Sequence, residues 1–215
     1  MTEALALLAG YLLGAIPSAY WAGRLGRGID LREHGSGNIG FTNAWRVLGP
    51  AWSIPVLIVD IGKGVLAVLL AMALAPDSIW AAVGAGLLAI IGHTFTIFLG
   101  FRGGGKGVAT SAGVFLALMP IPFGITAAVF LAILFSTRLM SLASITGAIT
   151  LVGAGGVLRL MDSSYQPEPL VFWTSVAAAI LLIIKHHSNI KRLMQGDEPR
   201  MQFSSNASSE EETSE

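Results

Sequence analysis

Residues 53–75 read SIPVLIVDIGKGVLAVLLAMALA. Wound as an α-helix at 1.5 Å per residue, this stretch is about 34 Å long, enough to cross the roughly 30 Å hydrocarbon core of a bilayer. Only Asp60 and Lys63 interrupt it. Ionisable groups at that depth are costly unless paired or functional, and the i, i+3 spacing places these two on one face. An intrahelical ion pair is the expectation, and whether either residue also touches a ligand stays open.

Working outward, six further apolar stretches resemble this one, near 4–23, 79–99, 108–120, 122–136, 142–160 and 169–185. Of the 215 residues, 53% are hydrophobic and 12% charged, whereas soluble domains carry about 25% charged residues. The reading is an all-α integral membrane protein, a bundle of about seven transmembrane helices. Pro120 and Pro122 mark the joint between the fourth and fifth spans, because proline ends one helix and suits the start of the next. The first span follows Thr2 and Glu3 without a basic lead or an obvious cleavage site, so it reads as retained rather than as a signal peptide.

Orientation follows from lysine and arginine, which mark cytoplasmic loops. With the N-terminus outside and the C-terminus cytoplasmic, the inner segments hold Arg24, Arg27, Arg32, Arg46, Arg102, Lys106, Arg138, Lys185, Lys191, Arg192 and Arg200, 11 of the 13 basic residues. The outer joints carry Asp77, Asp162 and Glu168 against Arg159. Residues 1–200 form one membrane domain in this reading, and 201–215, closing on SSNASSEEETSE, are a disordered acidic tail with too little apolar surface to order itself. The absence of cysteine excludes disulfides, thiolate ligands and a cysteine acyl-enzyme.

Three motifs fall on the inner face. The first, Gly35-Ser36-Gly37-Asn38-Ile39-Gly40-Phe41-Thr42-Asn43, followed by Arg46, formally matches G-x-G-x-x-G. A dinucleotide fingerprint requires a preceding strand and a βαβ unit, and here a membrane helix precedes it. What remains is a glycine loop whose backbone N–H groups can approach an anion, with Ser36, Asn38, Thr42 and Asn43 as hydrogen-bonding side chains and Arg46 as a phosphate fork. A flexible loop with a helix cap is the plainer alternative, but a turn needs fewer polar groups.

The second, Gly100-Phe101-Arg102-Gly103-Gly104-Gly105-Lys106-Gly107, misses the P-loop because Gly107 stands where magnesium needs Ser or Thr. A glycine-lined concavity with one ammonium at a helix N-terminus still suits phosphate, without magnesium. Seven residues earlier, His93 reads as a packed or capping residue as readily as a catalyst. No Asp follows it at the fifth place, so the His-x4-Asp motif of other glycerolipid acyltransferases is missing. The third motif, Lys185-His186-His187-Ser188-Asn189-Ile190-Lys191-Arg192-Leu193, would put 185, 189 and 192 on one face of a continuous helix. Its lysines and arginine could anchor to anionic lipid, but His186 and Asn189 are not needed for that.

Together, GSGNIGFTNAWR, GHTFTIFLGFRGGGKGVAT and HHSNIKRLMQGDE, in that order over residues 35–198, resemble the bacterial acyl-phosphate-dependent glycerol-3-phosphate acyltransferases. That family shows G-S-G-N-x-G-A-T-N-x-x-R, then G-H-x-x-P-x-F-x-x-F-x-G-G-K-G-V-A-T, then His-x-x-Asn-Ile-x-Arg-Leu ending in Gly-x-Glu. The chain departs in having Phe41 for Ala, Thr96 for Pro, and one extra glycine among Gly103-Gly104-Gly105.

The resemblance implies transfer of an acyl group from acyl-phosphate to the sn-1 hydroxyl of glycerol 3-phosphate, giving lysophosphatidic acid and phosphate at the bacterial plasma membrane in the first step of phospholipid synthesis. By motif position it implies Ser36, His186 and Lys106 as catalytic residues, and Arg46, Asn38, Thr42, Asn189, Gly104, Gly105 and Gly107 as substrate-binding ones. His186 is left open as base or donor, since the substrate phosphate could take the proton. No cofactor, metal or nucleic acid is expected; a monomer in membrane lipid is, compatible with contact to the enzyme that makes acyl-phosphate. A phosphate transporter would instead expose ionisable residues on both faces, and a CDP-alcohol phosphotransferase would need a D-x-x-D-G cluster of aspartates.

Overall fold

The computed structural model describes residues 1–161 and 164–203, and all regular structure among them is helical. The helices are α1 (Thr2–Ala15), α2 (Ser18–Arg27), α3 (Phe41–Leu48), α4 (Pro50–Leu74), α5 (Ile79–Thr94), α6 (Val108–Leu118), α7 (Pro120–Thr137), α8 (Met140–Leu160), α9 (Pro169–Lys185) and α10 (His187–Gln195). Asp162 and residues 204–215 lie outside the described residues.

Length and apolarity suffice for crossing in α4, α5 with its following 3-10 turn, α7, α8, and α1 with α2, and in α9 with α10 if that bent pair counts as one span. This is a multi-pass membrane bundle. The expected fourth span, α6, has 11 residues, about 17 Å of helix and roughly half a bilayer.

Prolines set the breaks. The expected first span, 4–23, is divided at Ile16-Pro17, because proline disfavours helical backbone in the residue before it; Ile16 has ψ 115°. Pro120 begins α7 rather than ending its predecessor, since its missing N–H costs nothing in the first turn. Pro50 and Pro169 open α4 and α9 in the same way.

Small residues hold the helices together, as suits an environment where lipid is as apolar as leucine. α1 packs along α5 and α4 along α6. Gly64 and Gly113 are where α4 and α6 touch: a Cβ on Gly64 would fall on the Thr110 carbonyl, and one on Gly113 on that of Ile61. This close crossing fixes the short α6, and with it the glycine loop at its head.

Asp60 and Lys63 form the expected pair, Nζ to Oδ1 at 2.8 Å, both buried. Its further bonds join three elements: Ser18 donates to Asp60 at 2.7 Å and Lys63 donates to the Ile16 carbonyl at 3.0 Å. Of the carbonyls at the α1–α2 break, that of Ile16 is thus satisfied from α4, and that of Ala15 accepts from the Thr96 hydroxyl.

Candidate functional site

All three motifs meet at one end of the bundle, around a cavity of about 730 Å³. Ser36, Asn38, Thr42, Arg46, Gly104, Lys106, Gly107, His186 and Asn189 all line it.

The first loop is organised by Asn43, which is 1% exposed. Its Oδ1 accepts from the Ser36 N–H at 2.9 Å, and its amide donates to the carbonyls of His34 at 3.0 Å and Leu31 at 3.3 Å. Asn43 was expected to offer its side chain to a ligand. It is spent on the loop instead, leaving Ser36, Asn38 and Thr42 facing the cavity. Gly35 and Gly37 have φ of 60° and 70°, the left-handed region that glycine adopts freely.

The second loop rests on the end of α5. Gly105 N–H donates to the His93 carbonyl at 3.0 Å. A Cβ at Gly104 would fall on the Thr94 carbonyl, and one at Gly105 on His93 Nε2. Gly104 and Gly107 reach the cavity wall, while Gly105 is buried beneath it against His93. Val108 and Ala109 also line the cavity, so the head of α6, where N–H groups lack helical partners, faces it. Thr96, standing for the family's proline, accepts from Phe98 N–H at 3.3 Å and caps the 3-10 turn Ile97–Leu99. Arg102 is exposed and is not among the lining residues.

The third motif is not a continuous helix. α9 and α10 meet at a 60° bend with His186 at the joint, so the expected shared face of 185, 189 and 192 does not form. Lys185 lies over the Phe95 ring at 5.0 Å, while Asn189 and Arg192 face the cavity. His186 Nδ1 is 2.8 Å from the Leu182 carbonyl. The proton therefore belongs on Nδ1, and Nε2 keeps its lone pair. Burial depresses the ring to about 4, so it is neutral at pH 7.

Glu198 completes this end, and only its place in the Gly-x-Glu ending marked it in the sequence. It accepts from Asn189 Nδ2 at 2.6 Å and Arg192 Nε at 2.7 Å, while Asn189 Oδ1 accepts from Lys106 Nζ. Burial would raise the Glu198 carboxyl, but the bonds from Asn189 and Arg192 hold it below its ordinary value. Burial lowers the Lys106 ammonium to about 8, with Arg192 and Arg46 adding and Glu198 opposing.

Beyond Glu198 the chain crosses the cavity end as a strap. Arg46 donates to the Pro199 carbonyl at 3.2 Å, Trp45 Nε1 to Gln202 at 2.9 Å, and Met201 N–H to Arg138 at 2.8 Å. Met201 is buried against Leu134 and Ala143, and Phe203 packs on Trp45 and Phe135. The tail expected from residue 201 thus has its first three residues docked, because Met201 and Phe203 supply apolar area that its acidic remainder lacks. Phe41, the replacement for alanine, stacks on Trp45 at 5.6 Å and joins this cluster.

Below the polar end the cavity is apolar, walled by Phe115 of α6, Phe123, Phe130 and Leu131 of α7, Leu151 of α8 and Ala178 of α9. Three cations (Arg46, Lys106 and Arg192), glycine backbone and a neutral histidine stand above an apolar slot, a lining whose chemistry suits an amphiphile with an anionic head. The glycerol-3-phosphate acyltransferase family model matches residues 4–196, and the chain belongs to that family. A glycerol-3-phosphate acyltransferase of Synechococcus elongatus is 45% identical over 205 residues, covering 92% of this chain and 93% of that one. One from Macrococcus caseolyticus is 43% identical, over 94% and 99% of the two chains. Crystal structures of PlsY (YgiH), an integral membrane glycerol 3-phosphate acyltransferase, in glycerol 3-phosphate and lysophosphatidic acid forms, superpose with a TM-score of 0.81 at 34% identity, over 94% of this chain and 96% of that one.

Proposed function

We propose that this chain transfers an acyl group from acyl-phosphate to the sn-1 hydroxyl of glycerol 3-phosphate at the cytoplasmic face of a bacterial plasma membrane. The observation that carries this reading is the joining, in one cavity, of a phosphate-suited end to an apolar slot. From Leu134 to Phe123 on α7, and from His186 to Ser175 at the foot of its wall on α9, the lining runs eleven residues, about 16 Å of helix. That depth suits a fatty chain. Its head would then lie beside Lys106 and Arg46.

The sn-1 oxygen attacks the acyl carbonyl carbon, an ester C–O bond forms, and the C–O bond to phosphate breaks. Phosphate leaves with the charge it needs, and lysophosphatidic acid stays in the membrane. Lys106 and Arg46 hold phosphate charge, with the Gly104–Gly107 backbone and the head of α6 beside them. Asn38 and Thr42 support the acceptor, while Ser36 and Asn189 orient it and polarise the acyl group. The hydroxyl proton passes to His186 Nε2 or to a phosphate oxygen. Because acyl-phosphate already has a good leaving group, positioning and charge stabilisation supply most of the acceleration.

In purified membranes supplied with palmitoyl-phosphate and glycerol 3-phosphate, Ser36→Ala and His186→Ala are expected to lower kcat/KM by about 10²-fold or more. Full activity in both variants would overturn the assignment. A GFP fused at the C-terminus fluoresces if that end is cytoplasmic, and stays dark if the orientation is reversed.

A further inference from the structure

Arg32 belongs to none of the three motifs, yet it touches two of them. Its carbonyl oxygen lies against the first loop, where a Cβ on Gly37 would fall 2.9 Å from it, and its side-chain stem lies along the second, where a Cβ on Gly103 would fall 2.6 Å from Cδ. The guanidinium is not free to swing away. Asp30, whose side chain is 4% exposed, accepts from Nε at 3.0 Å and from Nη2 at 2.6 Å, and its Oδ1 also takes the Arg32 N–H at 3.0 Å. Arg24 reaches the same carboxylate at 3.2 Å, and both guanidinium groups lie 5.3 Å from the Tyr20 ring centroid. The acyl transfer outlined above uses no atom of Arg32. A positive charge kept only to hold this segment at the cytoplasmic face would need neither a buried carboxylate to grip it nor a seat between two glycine loops.

We infer that Arg32 is a positioning residue for the transfer: it fixes the first glycine loop against the second, and so sets where the acceptor hydroxyl stands relative to the donor's acyl carbon. This rests on the proposed division in which Ser36, Asn38 and Thr42 serve glycerol 3-phosphate while Lys106 and the Gly104–Gly107 backbone hold the acyl-phosphate head. Each loop has support of its own. Asn43 ties the first together from within, and the His93 carbonyl carries the second. Arg32 adds the link between them, stiff because Asp30 holds its far end. Without it both sites still form, but out of register, and reacting atoms held slightly out of line lose most of the advantage of being bound together. Arg24 remains to balance Asp30 when Arg32 is replaced, so the buried carboxylate is not left alone.

The test is a kinetic cycle in purified membranes with palmitoyl-phosphate and glycerol 3-phosphate. Arg32→Ala, which removes the stem, and Arg32→Met, which keeps it but loses the grip of Asp30, should each lower kcat at least ~10-fold with both KM values within about 3-fold of wild type, the mark of misaligned rather than weakened binding. Gly103→Ala should also lower kcat, because its Cβ strikes a stem that cannot yield. In the Arg32→Ala background the same substitution should cost at least ~3-fold less, since only its backbone strain is left and that strain is common to both backgrounds. Losses that simply multiply overturn the contact. A rise in KM for one substrate with kcat unchanged overturns the inference too, since Arg32 would then support a single loop. A Gly103→Ala enzyme with wild-type kcat overturns it even if neither Arg32 variant folds. A wild-type protein that does not acylate glycerol 3-phosphate instead overturns the proposed function.

Discussion

The Lys106 ammonium donates to the Asn189 amide oxygen, although 83 residues separate them. Asn189 in turn donates to Glu198, so one amide relays a carboxylate's position to the cation of the glycine loop. Asn189→Ala should leave Lys106 unaimed and lower kcat/KM by about 10²-fold. Asn189→Asp should be at least as damaging, because it sets a second carboxylate against Glu198. Steady-state kinetics in membranes with matched protein levels measures both, and wild-type rates in either would remove this relay from the mechanism.

The same lysine predicts a pH profile. Burial lowers its pKa to about 8, so the ammonium is present below pH 8 and is lost as pH rises through that value. Since kcat/KM reports the free enzyme, affinity for the phosphorylated substrate should fall on the alkaline side, with an apparent midpoint near 8. Lys106→Arg should move that limb out of the range, because arginine stays protonated. A kcat/KM flat to pH 9.5 in the wild type would exclude Lys106 as the titrating group.

Two glycines of the second loop should respond differently to alanine. At Gly105 a Cβ would fall on the His93 imidazole, so the backbone must shift and carry Lys106 with it. About a 1 Å misplacement can cost ~10²-fold. At Gly100, φ is 62° but nothing lies within 4 Å of the added carbon, so the cost is confined to roughly 1–2 kcal/mol of backbone strain. Gly105→Ala should therefore abolish most activity and Gly100→Ala should keep it, as measured by acyl transfer and by melting in detergent. The reverse order would show that the loop does not rest on His93.

Much of this arrangement is legible in the sequence. The three polar segments stand out because asparagine and clustered basic residues are costly in lipid, and 11 of the 13 basic residues gather on one side. What escaped the reading depends on backbone direction. Hydropathy sees 4–23 as one stretch and is blind to the bend at Ile16-Pro17. It likewise assumes that Lys185 through Arg192 keep one helical phase, which the bend at His186 cancels. The role of Asn43 was hidden because an asparagine facing a ligand and one clasping its own loop have the same letter. Met201 and Phe203 were too few and too isolated among polar neighbours to register as packed.

Truncation separates strap from tail. A stop after Phe203 removes only 204–215 and should leave acyl transfer within about 2-fold of wild type. A stop after Gly196 removes Glu198 and the strap, strands the buried Asn189 and the half-exposed Arg192 without their carboxylate, and should cost most of the activity. In-gel quantification of membrane-inserted protein separates lost catalysis from lost accumulation. Equal activity in the two truncations would deny the strap any part in the site.

That strap has a bearing on how the enzyme comes to life during synthesis. Glu198 follows α10 in the chain, so every helix and both glycine loops have left the ribosome before the carboxylate that orders Lys106 and Asn189 can arrive. Until then the nascent bundle holds its cations without their organising anion, and the chemistry waits for a segment that spans no membrane at all.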